Sequence, residues 1–564
     1  MKKSLLLVLL IAVMACCLVA CGGGGDTTEN SSAPDWTSYD ELIAQIKAET
    51  DFATREALMH QAEDMLMATG AVMPLYYYND VYMMKDGIEG FYMTPYQTKY
   101  FMYTTYGDKT SLNINLASEP QYLDPALNSS VDGACLAANS FAGLYTYNAN
   151  NEQVPALAES YEVSEDGLTY TFTLKEGLKF SDGSDLTVDD VVYSWKRAAD
   201  PETAADYSYM FNGIAGYGTE EGIQVANVDG KFQVVLSAPC AYFLDLCAFP
   251  TFYVVSQDCV EAAAGYKDAD GNILNPGAWA TEAGFVTSGA YTLESWTHDE
   301  SMTYVKNPNF YDAANVTMDK LHFMLSADDA AIYAAYKSGD LDFIDNVPAD
   351  ETANAKQSPE YHIDAVYGTY YVAFNVNADL FAGMTVEQAA AMRQAISYLI
   401  DRQYIVDTVT QTGNTIATTY IPEAMSDGHG GEFKANDDAY TYPVDEGYYD
   451  PAVNVDKARE LLTEAGFQFD ENGMLSAETP ISFEYLTNQN TAHEAIAQCI
   501  QQDLAVVGIN MTIKTLDWNV FLAERKAGNF GIAREGWIAD FNDPINMLEM
   551  FITESGNTDC QFGR

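Results

Sequence analysis

Residues 531–544 read G-I-A-R-E-G-W-I-A-D-F-N-D-P, from Gly531 to Pro544. The apolar Phe530, Ile532, Trp537 and Ile538 predict a short strand here, and Asp543 with Pro544 predicts a helix start, as N-cap and first-turn residue. Asp540 is thereby left as a lone carboxylate on a strand-to-helix turn, beside a large aromatic ring. Such a turn offers one charge to a ligand, while the strand's free edge offers backbone donors and acceptors to an extended chain.

Around this stretch lies a chain of 564 residues, more than one core usually serves, so two or three domains are expected. With 48% hydrophobic and 19% charged residues the composition is globular. Asp and Glu number 82 against 27 Lys and Arg, a formal charge of −55. That sign argues against nucleic acid and against adhesion to anionic lipid through basic patches; any field it produces favours cationic ligands.

At the start, Lys2 and Lys3 precede an apolar run from Leu5 to Ala20, shorter than the ~20 residues of a comfortable membrane span. The pattern predicts a secretory signal peptide over 1–20. Leu18-Val19-Ala20-Cys21 resembles a bacterial lipobox, which implies lipidation of Cys21 and a flexible polar linker over 21–35. Six cysteines remain beyond it, without any C-x-x-C; Cys240, Cys247 and Cys259 leave one disulfide or buried free thiols both open.

Residues 36–106 predict two helices, with Tyr39, Leu42, Ile43 and Ile46 on one face and Leu58, Ala62, Met65 and Leu66 on another. Pro74 stops the helical pattern and Leu75 to Met84 reads as an aromatic strand. Strands then follow at Ser111–Ala117, Tyr170–Leu174 and Phe232–Leu236, a capping box at Thr187 and Asp190, and a helix closed by Gly466. Strand and helix signals alternate throughout, the mark of an α/β chain with mixed sheets.

The run Gly536-Trp-Ile-Ala-Asp-Phe-Asn-Asp-Pro resembles the G-W-x-A-D-Y/F-x-D/E-P motif of the oligopeptide-binding proteins that feed ABC importers. Ser118-Glu-Pro-Gln-Tyr-Leu-Asp-Pro, the stretch from Leu168 to Trp195, Thr287-Ser-Gly-Ala-Tyr and Arg393-Gln-Ala-Ile-Ser-Tyr are similar to further parts of that family. Tyr39-Asp-Glu-Leu-Ile, Val72-Met-Pro-Leu-Tyr-Tyr-Tyr and Lys85-Asp-Gly-Ile-Glu-Gly-Phe resemble the family's C-terminal end, here placed first. The resemblance implies a circularly permuted chain, its usual ends fused near Tyr106 to Lys109. It further implies two α/β lobes of the periplasmic-binding-protein type with a smaller inserted domain at 145–281. One lobe would combine 72–144 with 282–372, the other 373–564 with 36–71.

The resemblance also assigns roles. Asp540 would take a peptide's α-ammonium, and the strand Glu535, Gly536, Trp537 and Ile538 would pair with its backbone. Arg534 would meet a ligand carboxylate or form an internal salt bridge. Trp518, Trp537 and Tyr207 would wall the cleft, with Glu119 on a loop at its edge. No cofactor, metal or catalytic residue is implied; the partners are a peptide, an importer's permease and, through the anchor, a membrane, with the protein itself a monomer. Binders of nickel complexes, haem or oligosaccharides, a peptide sensor, and an extracellular peptidase remain as alternatives.

Other motifs are set aside. His493-Glu494 begins like H-E-x-x-H but lacks the second His, and Ile496, Ile500 and Leu504 make it an amphipathic helix. Asp268-Ala-Asp-Gly-Asn lacks the later calcium ligands and reads as a turn. Gly216, Gly218 and Gly222 precede no helix start able to hold a phosphate.

Overall fold

Two adjacent strands in the middle of the main sheet decide how the halves of the molecule meet. The computed structural model describes residues 32–116, 118–240, 242–435, 440–445 and 447–564; the signal segment and Cys21 lie outside them. Among the described residues one sheet contains β1 (Val72–Met84), β2 (Ser111–Asn115), β3 (Tyr291–Thr297), β4 (Ser301–Lys306) and β5 (Lys320–Met324). It continues with β6 (Phe343–Ile344), β7 (Tyr361–Phe374), β8 (Ser482–Asn488), β9 (Asn510–Leu516) and β10 (Ile532–Ile538). Their spatial order is β3-β4-β5-β2-β6-β1-β7-β10-β8-β9.

β1 and β7, of 13 and 14 residues, are roughly 40 Å long at ~3.3 Å per residue and run through both halves of this sheet. At one end Met83 and Met84 pair with β6; at the other, Val72 to Tyr77 pair with Ala373 to Thr369, which pair in turn with Ala533 to Trp537 of β10. A division at residue 72 therefore needs correction, since the strand that starts there belongs first to the half that holds β10. The ladder between β1 and β7 breaks once in its middle: Tyr77 faces Thr369, Asn79 faces Ala365, and Tyr78 alone spans the three residues between. A second irregularity follows Pro74, which has no N–H to give a central ladder; its carbonyl instead accepts from Arg402 Nε at 2.9 Å and Tyr449 Oη at 3.0 Å.

The smaller sheet runs 225–228, 231–235, 169–174, 158–163, within the segment expected to form an inserted domain. The capping box at Thr187 and Asp190 is present, as is Gly466, at φ +99°, just past its helix. Asp268 is a turn residue accepting from Asp270 and Asn272 N–H. Cys135, Cys240, Cys247, Cys259, Cys499 and Cys560 are free thiols. Among the described residues no helix is long and apolar enough to cross a membrane.

The first helices, α1 (Thr37–Ala48) and α2 (Phe52–Ala68), pack on the last residues of the chain. Tyr39, Leu42, Ile43 and Ile46 are all buried, as the spacing predicts. Trp36 stacks on Phe562 with centroids 3.9 Å apart and donates from Nε1 to the Phe551 carbonyl at 2.8 Å. Tyr39 Oη donates to the Leu548 carbonyl at 2.9 Å. Arg55 meets Asp543 through two bonds of 2.7 and 2.8 Å, both side chains buried, a bidentate pair that fixes α2 beside the 540–544 turn. Asp543 also accepts from Ile545 N–H at 3.0 Å, so it caps the helix whose assigned start falls one residue later than expected.

Trp36→Ala deletes a buried ring and one hydrogen bond, so it should lower unfolding stability by about 3–5 kcal/mol in urea titration. Hydrogen exchange should then speed up in 37–46 together with 548–562, and not in the four-stranded sheet.

Candidate ligand-binding site

A cleft of about 440 Å³ lies where the two halves face each other, a size ordinary for ligand sites. β10 forms one wall. Its inner edge is paired with β7 over all seven residues, from Ile532 to Ile538. On the outer edge β8 pairs only with Ile532 and Ala533. Ala539 N–H bonds to the Tyr367 carbonyl at 2.6 Å, and the two-residue alternation of an antiparallel ladder then turns the N–H and C=O of Gly536 and Ile538 outward. Both residues line the cleft.

Parallel pairing explains why β8 leaves this edge. β8, β9 and β10 are joined by α3 (Thr491–Ala505) and α4 (Trp518–Lys526), helices long enough for crossovers between parallel strands. α4 begins at the cleft with Trp518. Gly368 and Gly536 permit close approaches beside it. A Cβ on Gly368 would collide with Ile538 Cδ1 and the Trp537 carbonyl, and one on Gly536 with the Tyr78 hydroxyl, so the break in the β1–β7 ladder sits directly against the open edge.

Asp540 lies just beyond the strand. Asn546 holds the turn, accepting from Asp540 N–H at 2.9 Å and Trp537 Nε1 at 3.2 Å and donating from Nδ2 to Asp540 Oδ2 at 3.0 Å. The Tyr207 hydroxyl also bonds the carboxylate, and its ring lies 5.9 Å from that of Trp537. Among the described residues no Lys or Arg pairs with Asp540. Burial, reinforced by the charge of Glu549, pushes its carboxyl up to about 8 although Asn546 and Tyr207 both pull it down. Neutral hydrogen bonds solvate this acid incompletely, and a cation would complete it.

The remaining expected residues divide. Arg534 is buried at the cleft, accepted by Asn488 Oδ1 at 2.8 Å and stacked between Trp518 and Phe521 at 5.4 and 5.2 Å; no ion pair reaches it among the described residues. Glu535 turns its backbone groups toward β7, and its carboxylate meets Arg525 at 2.6 Å, which Asp559 shares at 2.7 Å, and accepts from Gly536 N–H at 2.9 Å; burial and then Asp559 leave it raised despite the Arg525 charge. Glu119 requires correction. Its carboxylate turns to His298 Nδ1 at 2.5 Å, Trp296 Nε1 at 3.3 Å and Asp299 N–H at 2.9 Å, held by a neighbouring hairpin, so it is no lining residue. Its carbonyl does accept from Asn519 of α4 across the cleft mouth, at 3.3 Å.

Sequence reasoning missed others. His493, set aside as part of a false metal motif, lines the cleft within 3.3 Å of Tyr370 Oη; burial and then the nearby Arg534 charge keep it well below its ordinary value and neutral. Two sets of contacts cross between the halves: Thr491 donates to Asp329 Oδ2 from Oγ1 at 2.7 Å and from N–H at 3.0 Å, and Lys526 pairs with Asp206 and reaches Ser129 Oγ at 2.7 Å. Only the local hydroxyl and charge of these residues could have flagged them, and those are common everywhere.

Residues 152–559 match the model of the bacterial extracellular solute-binding proteins, family 5, middle region. The oligopeptide-binding protein OppA of Bacillus subtilis is 30% identical over 467 residues, 79% of this chain and 78% of its own. The periplasmic oligopeptide-binding protein OppA of Salmonella typhimurium is 30% identical over 473 residues, 81% and 79% of the two chains. Among solved structures, Haemophilus influenzae OppA in complex with RPPGFSPFR superposes with TM-score 0.69 at 25% identity, covering 81% of this chain and 85% of that one. These likenesses agree with the α/β, two-lobed architecture described above, and the family's members bind solutes rather than transform them. The chain belongs to the bacterial extracellular solute-binding proteins of family 5.

Proposed function

We propose that this protein binds oligopeptides or dipeptides outside the cytoplasm and delivers them to an ABC importer, held at the membrane by a lipid on Cys21. One observation carries the ligand assignment: a buried carboxylate without a cation, Asp540, stands at the end of a strand whose outer edge is open. A peptide's α-ammonium and its backbone N–H and C=O groups are its constant features, and this wall answers each of them. The relatives' names, oligopeptide- and dipeptide-binding proteins, support the same reading.

In this reading a peptide starts at Asp540 and runs along Ile538, Gly536 and Arg534, with Tyr207, Trp537 and Trp518 around its side chains. Arg534 is available to a ligand carboxylate, which would favour peptides whose end falls beside it. The paired strands β1 and β7 serve as the hinge, bending where Tyr78 interrupts their ladder, and the Thr491–Asp329 and Lys526–Asp206 contacts hold the closed form. A permuted order explains why α1 and α2 complete the half containing β10. The curated relatives match about four-fifths of both chains, which leaves a remainder long enough to hold the displaced segment 36–106.

Asp540→Asn should abolish most affinity for a tripeptide such as Ala-Ala-Ala in calorimetric titration while leaving the circular dichroism spectrum intact. N-acetylation of the peptide should weaken binding to the parent protein comparably; equal binding of free and acetylated peptides would remove Asp540 from its role.

The pH dependence has a definite sign. Without ligand, Asp540 keeps its proton to about 8, whereas the unfolded chain loses it near 3.8, so this group's contribution to stability falls as pH rises through that window. An ammonium ligand requires the ionised form, so binding below pH 8 releases a proton. Affinity for Ala-Ala-Ala should therefore rise from pH 5 to 7, by up to ~tenfold per unit for one proton. Calorimetry in buffers of different ionisation enthalpy should detect the release, and the acetylated peptide should lack it.

A further inference from the structure

Across the cleft from β10, the other half carries a second concentration of negative charge. Asp80 comes from β1, Asp132 from the first turn of the helix Val131–Ser140, and Asp345 from the residue after β6; all three line the cleft. One cation lies among them. Lys99, buried behind the wall, sits 2.7 Å from Asp80 Oδ2 and 3.0 Å from Asp345 Oδ1. Gln97 Nε2 donates to the other oxygen of Asp80 at 3.0 Å. Asp132 has neither a hydrogen bond nor an ion pair among the described residues. It is surrounded by protein, and the accessible face it retains belongs to the cleft.

Two carboxylates thus share one ammonium, and the third, Asp132, feels it only through its charge. Burial raises both Asp132, to about 6, and Asp345, despite the opposing pull of Lys99; Asp80 adds to the difficulty of each, and Asp132 to that of Asp345. The other charged or titratable groups acting on Asp132 are Asp80, Arg534 from across the cleft, and Cys135 one helical turn behind it. Arg534 is a further cation whose charge reaches Asp132, yet no ion pair joins the two among the described residues, so this carboxylate on the cleft wall is open to positive charge that a ligand brings.

The position of the cluster relative to β10 indicates where that charge comes from. Asp80 is two residues along β1 from Tyr78, about 7 Å by strand rise, and the Tyr78 hydroxyl abuts Gly536 on the open edge. A long side chain projecting from a peptide residue beside Gly536 can span that gap; the peptide's α-ammonium, placed at Asp540 four residues away, is already matched.

Resting on the peptide reading above, we propose that this cleft selects peptides with a basic side chain, Lys or Arg, at an interior position, seated against Asp132, Asp345 and Asp80. The acid at Asp540 then recognises what all peptides share, and the acids opposite it recognise which peptide is present.

The test compares Ala-Lys-Ala with Ala-norleucine-Ala, which keeps the length of the side chain and removes its charge, alongside Ala-Ala-Ala, in calorimetric titration of the intact protein. The lysine peptide should bind roughly tenfold or more tightly than the norleucine peptide. That ratio should widen as pH rises through 6, where Asp132 ionises, and should collapse in Asp132→Asn and in Asp345→Asn, either variant sufficing if the other does not fold. Equal affinity for the lysine and norleucine peptides overturns the preference and leaves the peptide reading standing. Failure of all three peptides to bind overturns both.

Discussion

β10 is paired with a neighbouring strand along the whole of one edge and at only two residues of the other, where the Gly536 N–H turns instead to Glu535 Oε1 at 2.9 Å, and much of the cleft follows from that inequality. Backbone N–H and C=O groups lose free energy when they leave water without partners, so an open edge facing a cavity is stable only while water or a ligand meets it. The molecule keeps the edge open by three means. β8 diverges after Ala533, α4 places Trp518 where another strand would run, and Gly536 has no side chain to cover the ladder positions, leaving the Tyr78 hydroxyl to approach instead. A bulkier residue at 536 would displace Tyr78, and with it the point where β1 and β7 change register.

Electrostatics reinforces this geometry. Asp540 is solvated by an amide and a phenol rather than by a cation, while Glu535, two strand pleats from it, is neutralised inside the wall by Arg525. Two acids five residues apart, one on the strand and one just beyond it, thereby differ: Glu535 has a cationic partner and Asp540 has none among the described residues. Arg534 completes the arrangement from the opposite sign. Held by Asn488 and two aromatic rings, it lines the cleft and pairs with no carboxylate among the described residues. Thr491 with Asp329 and Lys526 with Asp206 join the halves through other residues, whereas the Tyr207 hydroxyl joins them through Asp540 itself.

Much of this was legible in 531–544 because the parts of the motif are local: a strand, a glycine, an indole and an acid occur in the order in which they act. Helix faces and caps were legible for the same reason, as Tyr39 to Ile46 and Thr187 with Asp190 demonstrate. Reading failed where a side chain had local alternatives. Glu119 occupies a loop near the cleft, but a hairpin 180 residues later presents His298, Trp296 and the Asp299 N–H to its carboxylate, and no local pattern announces that hairpin. Glu535 is read by its place on the strand, yet alternation along the strand does not tell that Arg525 lies behind it. Asp80, Asp132 and Asp345 are three acids among 82, separated by 52 and 213 positions; only the fold makes them neighbours.

Chain order and spatial order also part company at β1, the first strand in sequence and one of the most central in the sheet. Its partners, β6 and β7, are formed by residues some 260 to 300 positions later, and the helices that precede it finish against the last twenty residues. Loop-closure entropy grows only with the logarithm of the intervening length, so native stability is little affected by such separation. Folding rate is affected more, because the central ladder must wait for distant segments. Until β7 arrives, β1 exposes two unpaired edges and a run of tyrosines, Tyr76 to Tyr78, which makes it the segment most open to pairing with another chain. Native Tyr77 is buried with its hydroxyl bonded to Thr419 at 2.6 Å, so this ring is protected only once the segment around Thr419 has packed on β1.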